Sequence, residues 1–222
     1  MTNSRNFFEK CTLSSSFCDL AFRDYISARL ILNNQLVLQS LTLASTAGEK
    51  YLKAIIIFNL NKPEWINYHF DNFSKLKKLL IKVEFEMINE FDSVFIDVLI
   101  KAFKIRYYDR LEKDITIGIY LNQFIGELDF VVYNLETYIS RKQFNGQKIS
   151  PYWRAVESKD PKLYDENYIL NGEEKEKFME KLGYAFSVHI KKGEFTLIER
   201  SCLSESISVK YDGQLNIFDE FL

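Results

Sequence analysis

The sequence predicts a mainly α protein. An up-and-down bundle of four to five helices occupies residues 1–150, and a small α+β extension occupies 151–222. Three observations support this reading. Residues 1–150 hold only one proline, Pro63, and four glycines, so long stretches lack helix punctuation. Apolar residues there recur at three- and four-residue spacings, the period of a helix with one buried face. After "NGQKISPYW" the pattern shifts to short alternating segments of the kind that form half-buried strands.

The first helix is expected to start at Ser14–Ser16, whose hydroxyls suit a cap, and to run to about Asn33. "NNQ" turns the chain. The second helix spans about Leu36 to Leu60, with small residues at Ala44, Ala47, Gly48 and Ala54 that admit a close neighbour. "NKPEWINYHFDN" is read as a loop broken by Pro63. A short third helix, "FSKLKKLLIKVE", takes Asp71 or Asn72 as its cap. The fourth covers roughly Glu86 to Tyr108 and the fifth roughly Asp114 to Ile139. Short connections of this kind define an antiparallel bundle. In the extension, "GEEKEKFMEKLGYAF" reads as one helix, and "FSVHI", "EFTLIER", "SISVKY" and "QLNIF" read as strands. The dipeptide Asp212-Gly213 predicts a terminal β-hairpin, because both residues tolerate positive φ.

Composition narrows the functional classes. With 47% hydrophobic residues, 19 Phe and 13 Tyr, the chain can fill a substantial core. A net charge of −2 gives no global basic footprint for nucleic acid. The signs segregate weakly, however. Residues 1–150 carry 19 basic and 17 acidic side chains, against 10 and 14 in 151–222, so a local basic face on the first part is available. Cys11, Cys18 and Cys202 lack zinc-ligand spacing and fit small apolar packing in a reducing, cytoplasmic compartment. The N-terminus shows no secretory pattern, and runs such as "AIIIF" are too short to span a membrane. No metal-ligand spacing or cofactor motif is present.

Four ordered segments resemble the HEPN family (higher eukaryotes and prokaryotes nucleotide-binding). They are "DYISARLILNNQ", "LASTAGEKYLKAIII", "YHFDNFSKLKKLL" and "AFKIRYYD", covering roughly residues 15–140. The resemblance implies a helical bundle, usually a homodimer, that binds RNA or nucleotides. It also implies a prokaryotic defence or toxin–antitoxin setting. Many members of the family are metal-independent ribonucleases that use an arginine followed four to six residues later by a histidine. Arginine would steady the charged phosphate there while histidine moves the 2′-hydroxyl proton. This chain departs from that pattern: neither His69 nor His189 follows an arginine at that spacing. The expectation is therefore binding without ordinary ribonuclease activity, and no residue is assigned a catalytic role.

The candidate binding residues are Arg106, Tyr107, Asp109 and Arg110, with Lys50, Lys53 and His69. Arginine offers a planar fork to an oxyanion and tyrosine a stacking surface. The alternative is an Arg106–Asp109 pair at a helix end with a tyrosine in the core. Lys50 and Lys53 could present charge to a phosphate backbone. Equally, Glu49 and Lys53 could form a solvated pair one helical turn apart. Lys75, Lys78 and Lys82 make a basic stripe that either attracts phosphates or simply solvates its helix. His69, among Trp65, Tyr68, Phe70 and Phe73, is a packing residue or, with Arg106 and Tyr107, part of a divergent ribonuclease. Finally, Gln214, Leu215, Ile217 and Phe218 in "QLNIF" resemble the short motif by which bacterial proteins dock on the replication sliding clamp. That reading competes with a hairpin strand.

Overall fold

The computed structural model describes residues 2–60, 69–107, 109, 111–143, 150–192 and 197–204. It is a helical bundle with a small antiparallel sheet. Helix α1 (Thr2–Asn33) and α2 (Val37–Asn59) lie against each other, joined by a tight turn. Gln35 adopts φ 62°, and the Leu36 N–H donates to the Ile31 carbonyl at 3.0 Å, closing the turn. The hydroxyls expected to cap α1 lie inside it instead. Ser14 is buried and donates to the Ala54 carbonyl of α2 at 2.8 Å. Ser16 donates back to the Thr12 carbonyl at 2.9 Å. A serine can satisfy its hydroxyl within a helix in this way, so its presence alone does not mark a boundary.

A 3-10 turn (Phe70–Asn72) leads into α3 (Phe73–Lys82). Asn72 occupies the N-cap position without a side-chain cap bond. The expected fourth helix is divided: a 3-10 turn at Glu86–Asn89 precedes α4 (Ser93–Ile105). Asp92 caps α4, its Oδ1 accepting the Phe95 N–H at 2.6 Å. The expected fifth helix begins later than its sequence reading. "ITIGIY" is strand β1 (Ile115–Tyr120), and α5 runs Leu121–Gln143. A six-residue run with four β-branched residues is compatible with either state by periodicity, and pairing decides.

Four short helices follow: α6 (Pro151–Glu157), α7 (Pro161–Tyr164), α8 (Tyr168–Asn171) and α9 (Lys175–Met179). Ser150, Asp160 and Asn167 cap the first three through their side-chain oxygens. The helix expected over residues 172–186 is thus reduced to α9, because "GYAF" belongs to β2 (Gly183–Ile190). β2 pairs antiparallel with β1, Ile115 opposite Ile190 and Tyr120 opposite Ala185. Strand β3 (Leu197–Ser204) completes the order β1-β2-β3. Residues 205–222, with the expected Asp212-Gly213 hairpin, lie outside the described residues.

One hydrophobic core joins residues on both sides of position 150. Tyr25 of α1, Tyr51 of α2, Leu99 of α4, Leu135 of α5, Val188 of β2, Trp153 of α6 and Phe178 of α9 all belong to it. The small residues of α2 work as expected. A Cβ on Gly48 would lie 3.1 Å from the Phe70 ring and 3.7 Å from Leu99 Cδ1. A side chain at that position would crowd the Phe70 ring by a few tenths of an ångström, whereas Leu99 of α4 would remain at ordinary van der Waals distance.

Candidate functional site

Three separate elements converge on Phe103, near the end of α4. From α2 come Thr46, Glu49 and Lys53, spaced three and four residues apart and so on one helical face. Glu49 and Lys53 form an ion pair at 2.7 Å and are nearly fully buried, not solvated as the spacing alone suggests. Burial is tolerable because the carboxylate is fully engaged. Glu49 Oε1 also lies 3.1 Å from His69 Nδ1, and Oε2 accepts the Phe70 N–H at 3.3 Å. Lys53 Nζ is 3.5 Å from the same His69 nitrogen. Lysine has only donors and a carboxylate only acceptors, so Nδ1 accepts from Lys53 in one tautomer and donates to Glu49 in the other.

The His69 ring then stacks on Phe103, with centroids 5.6 Å apart and planes at 27°. The Arg106 guanidinium stands 5.2 Å from the Phe103 centroid and 5.6 Å from that of Tyr107. Its Nη1 donates to Thr46 Oγ1 at 3.1 Å. Arg106 and Tyr107 are exposed, whereas Phe103 is buried. The assembly is a buried ring carrying an oriented imidazole and an exposed guanidinium, with a tyrosine face alongside. Such a group can hold an oxyanion and stack a planar base. Phe103 was not singled out in the sequence. Its position three residues before Arg106 and four before Tyr107 is the signal that would have found it.

Of the other sequence candidates, some make different contacts and some lie outside the described residues. Lys50 pairs with Asp24 of α1 at 2.6 Å, so its charge is matched by the neighbouring helix. Asp109 is exposed beyond the end of α4. Lys75, Lys78 and Lys82 are exposed on α3, while Leu76 and Leu80 on the opposite side are buried. His189 faces Thr116 across β1 and β2, with Nδ1 2.7 Å from the hydroxyl. Arg110 and the tail residues Gln214, Leu215, Ile217 and Phe218 lie outside the described residues. Among the described residues no group of three or more His, Cys, Asp or Glu side chains could hold a metal ion. No described helix is long and apolar enough to cross a membrane.

A second polar cluster, unforeseen in the sequence, lies inside the bundle on α5. Asp129 and Glu136 are fully buried and seven residues apart, on one face. Asp129 Oδ1 accepts the Tyr25 hydroxyl at 2.7 Å and lies 3.0 Å from Arg29 Nε. That distance allows charge pairing, although the Nε–H is not aimed at the oxygen. Arg29 also donates to the carbonyls of Lys162 (3.2 Å), Leu163 (3.1 Å) and Asp165 (2.7 Å), tying α7 to α1. Glu136 accepts hydroxyls from Tyr51 and Ser150, each at 2.7 Å. Burial raises the Asp129 pKa to about 6, with Arg29 and Tyr25 pulling it back. The signal for this cluster was two acids within the apolar stripe of Leu128, Val132 and Leu135.

Comparison with known proteins found no matching family model, no matching curated protein and no matching solved structure.

Proposed function

We propose that this chain is a HEPN-like RNA- or nucleotide-binding protein whose ligand meets the Phe103 cluster. The observation carrying this reading is the convergence of His69, Arg106 and Tyr107, from two elements, on one buried ring at the surface. An exposed guanidinium lying over two rings offers its donors to an oxyanion, and the neighbouring ring face is open to a planar base. On the same reading the protein is a cytoplasmic homodimer in a prokaryotic defence or toxin–antitoxin system, as the HEPN resemblance implies. It binds without cleaving.

A second reading, a divergent metal-independent ribonuclease, is favoured by one feature: the fold brings His69 and Arg106 to the same ring despite their separation in sequence. One experiment separates the two. Purified protein is mixed with labelled single-stranded and structured RNA in chelator, and both anisotropy and cleavage are followed. Binding that weakens about 10- to 100-fold in Arg106→Ala, with RNA intact throughout, is the expected result. That range corresponds to the loss of a charged hydrogen bond. Cleavage abolished by the same substitution establishes the ribonuclease instead. Binding unchanged by it removes the Phe103 cluster from the interface.

A further inference from the structure

Ser150 has two tasks at the start of α6. Its Oγ accepts the Trp153 N–H at 3.3 Å as the helix cap, and its hydroxyl proton goes to Glu136 Oε2 at 2.7 Å. The Trp153 indole N–H donates to the backbone carbonyl of the same Glu136 at 3.4 Å. One residue of α5 therefore holds both the cap of α6 and its largest ring. Downstream, Arg29 grips the carbonyls of α7, and Asn167 donates to the Tyr25 hydroxyl at 3.4 Å. Those contacts anchor residues 162–167 independently, so α6 is bounded by two fastenings of different kinds.

The groups facing Glu136 are unusual for a carboxylate. From α1 come Cys18 and Asp19, from α2 Tyr51, and from the α6 segment Ser150 and Tyr152. These are hydroxyls, a thiol and a second acid. The cation of this interior cluster, Arg29, is engaged with Asp129. Among the described residues no cation gives an ionised Glu136 the balance that Asp129 receives from Arg29, and water reaches the carboxylate when the covering segment moves.

We propose that Glu136 and Ser150 form a proton-controlled latch, α6 remaining docked while Glu136 is protonated and lifting from the bundle as Glu136 ionises. Burial raises the Glu136 pKa to about 7, against the pull of Ser150 and Tyr51 and with a further push from Asp19. For an acid whose pKa is raised in the closed form, that form binds the proton more tightly than the open one. Docking is therefore strongest below the ordinary carboxylate range and is lost as pH rises through about 7.

Amide hydrogen exchange on the full chain, corrected for intrinsic rates, tests this between pH 5 and 8. Opening of residues 151–157 should increase about tenfold per pH unit between roughly pH 5 and 7 and then level off. Amides of α4 should show no such slope. Glu136→Gln, which keeps hydrogen-bonding capacity but cannot ionise, should flatten the profile. A flat wild-type profile, an unchanged slope in Glu136→Gln, or an equal slope in α4 overturns the latch. If Glu136→Gln fails to fold, Ser150→Ala decides: losing a donor to the anion should move the levelling point to higher pH. A levelling point that stays in place overturns the proposal.

Discussion

The surface cluster around Phe103 and the interior cluster on α5 use nearly the same parts. Each contains an arginine, a carboxylate and aromatic rings, yet they differ in access to water. At the surface, Arg106 is held by two ring faces and one hydroxyl, and water can replace any partner it loses. Inside, Arg29 is tied to a carboxylate and three backbone carbonyls, and nothing can substitute for them. The same chemistry is thus available to a ligand in one place and committed to the fold in the other. Burial, not residue type, separates a binding group from a structural one.

Substitutions should expose that difference. The largest effect is expected from Asp129→Ala, which strands the Arg29 guanidinium in the core. Urea denaturation should show a loss of about 3–5 kcal/mol, while RNA affinity of the folded fraction stays unchanged. A smaller loss would mean that water reaches Arg29. Tyr51→Phe removes one donor to Glu136 and should cost about 1–3 kcal/mol in the same assay. Arg106→Ala inverts the pattern, with stability within about 0.5 kcal/mol of wild type and binding impaired. Least affected should be the triple change Lys75→Ala, Lys78→Ala and Lys82→Ala. Its RNA affinity should keep the wild-type salt slope; a decrease of roughly 0.7 per lysine would bring α3 into the interface.

Much of the bundle was legible because long amphipathic helices repeat one signal. The expected second helix, Leu36 to Leu60, differs from α2 by one residue at each end. Local ambiguity concealed the rest. Ser14 and Ser16 have the chemistry of a cap, yet both lie inside α1, their hydroxyls bonded to the Ala54 carbonyl of α2 and the Thr12 carbonyl of α1. "ITIGIY" joined the fifth helix in the sequence reading because its partner strand begins only at Gly183. At the surface site, Arg106, Tyr107, His69 and Lys53 were recognised as residue types. Their assembly around Phe103, and the burial of Glu49 with Lys53, depends on contacts between distant segments. Asp129 and Glu136 were missed for the same reason: an acid at the edge of an apolar stripe looks solvated until its partners on α1, α2 and α6 are known.

The pairing of β1 with β2 also sets the timing of assembly. β1 is translated well before β2, with residues 121–182 between them. At roughly 5–20 residues per second, a ribosome takes several seconds to cover that interval. Throughout it, Ile115, Ile117 and Ile119 belong to a strand whose ladder has no neighbour. Unpaired apolar strands of this kind recruit other chains. α5, the next helix to emerge, must pack against a sheet still missing its middle strand. The order of synthesis and the order of assembly therefore oppose each other here, and the nascent chain is most exposed to its neighbours while the second half of this ladder is being made.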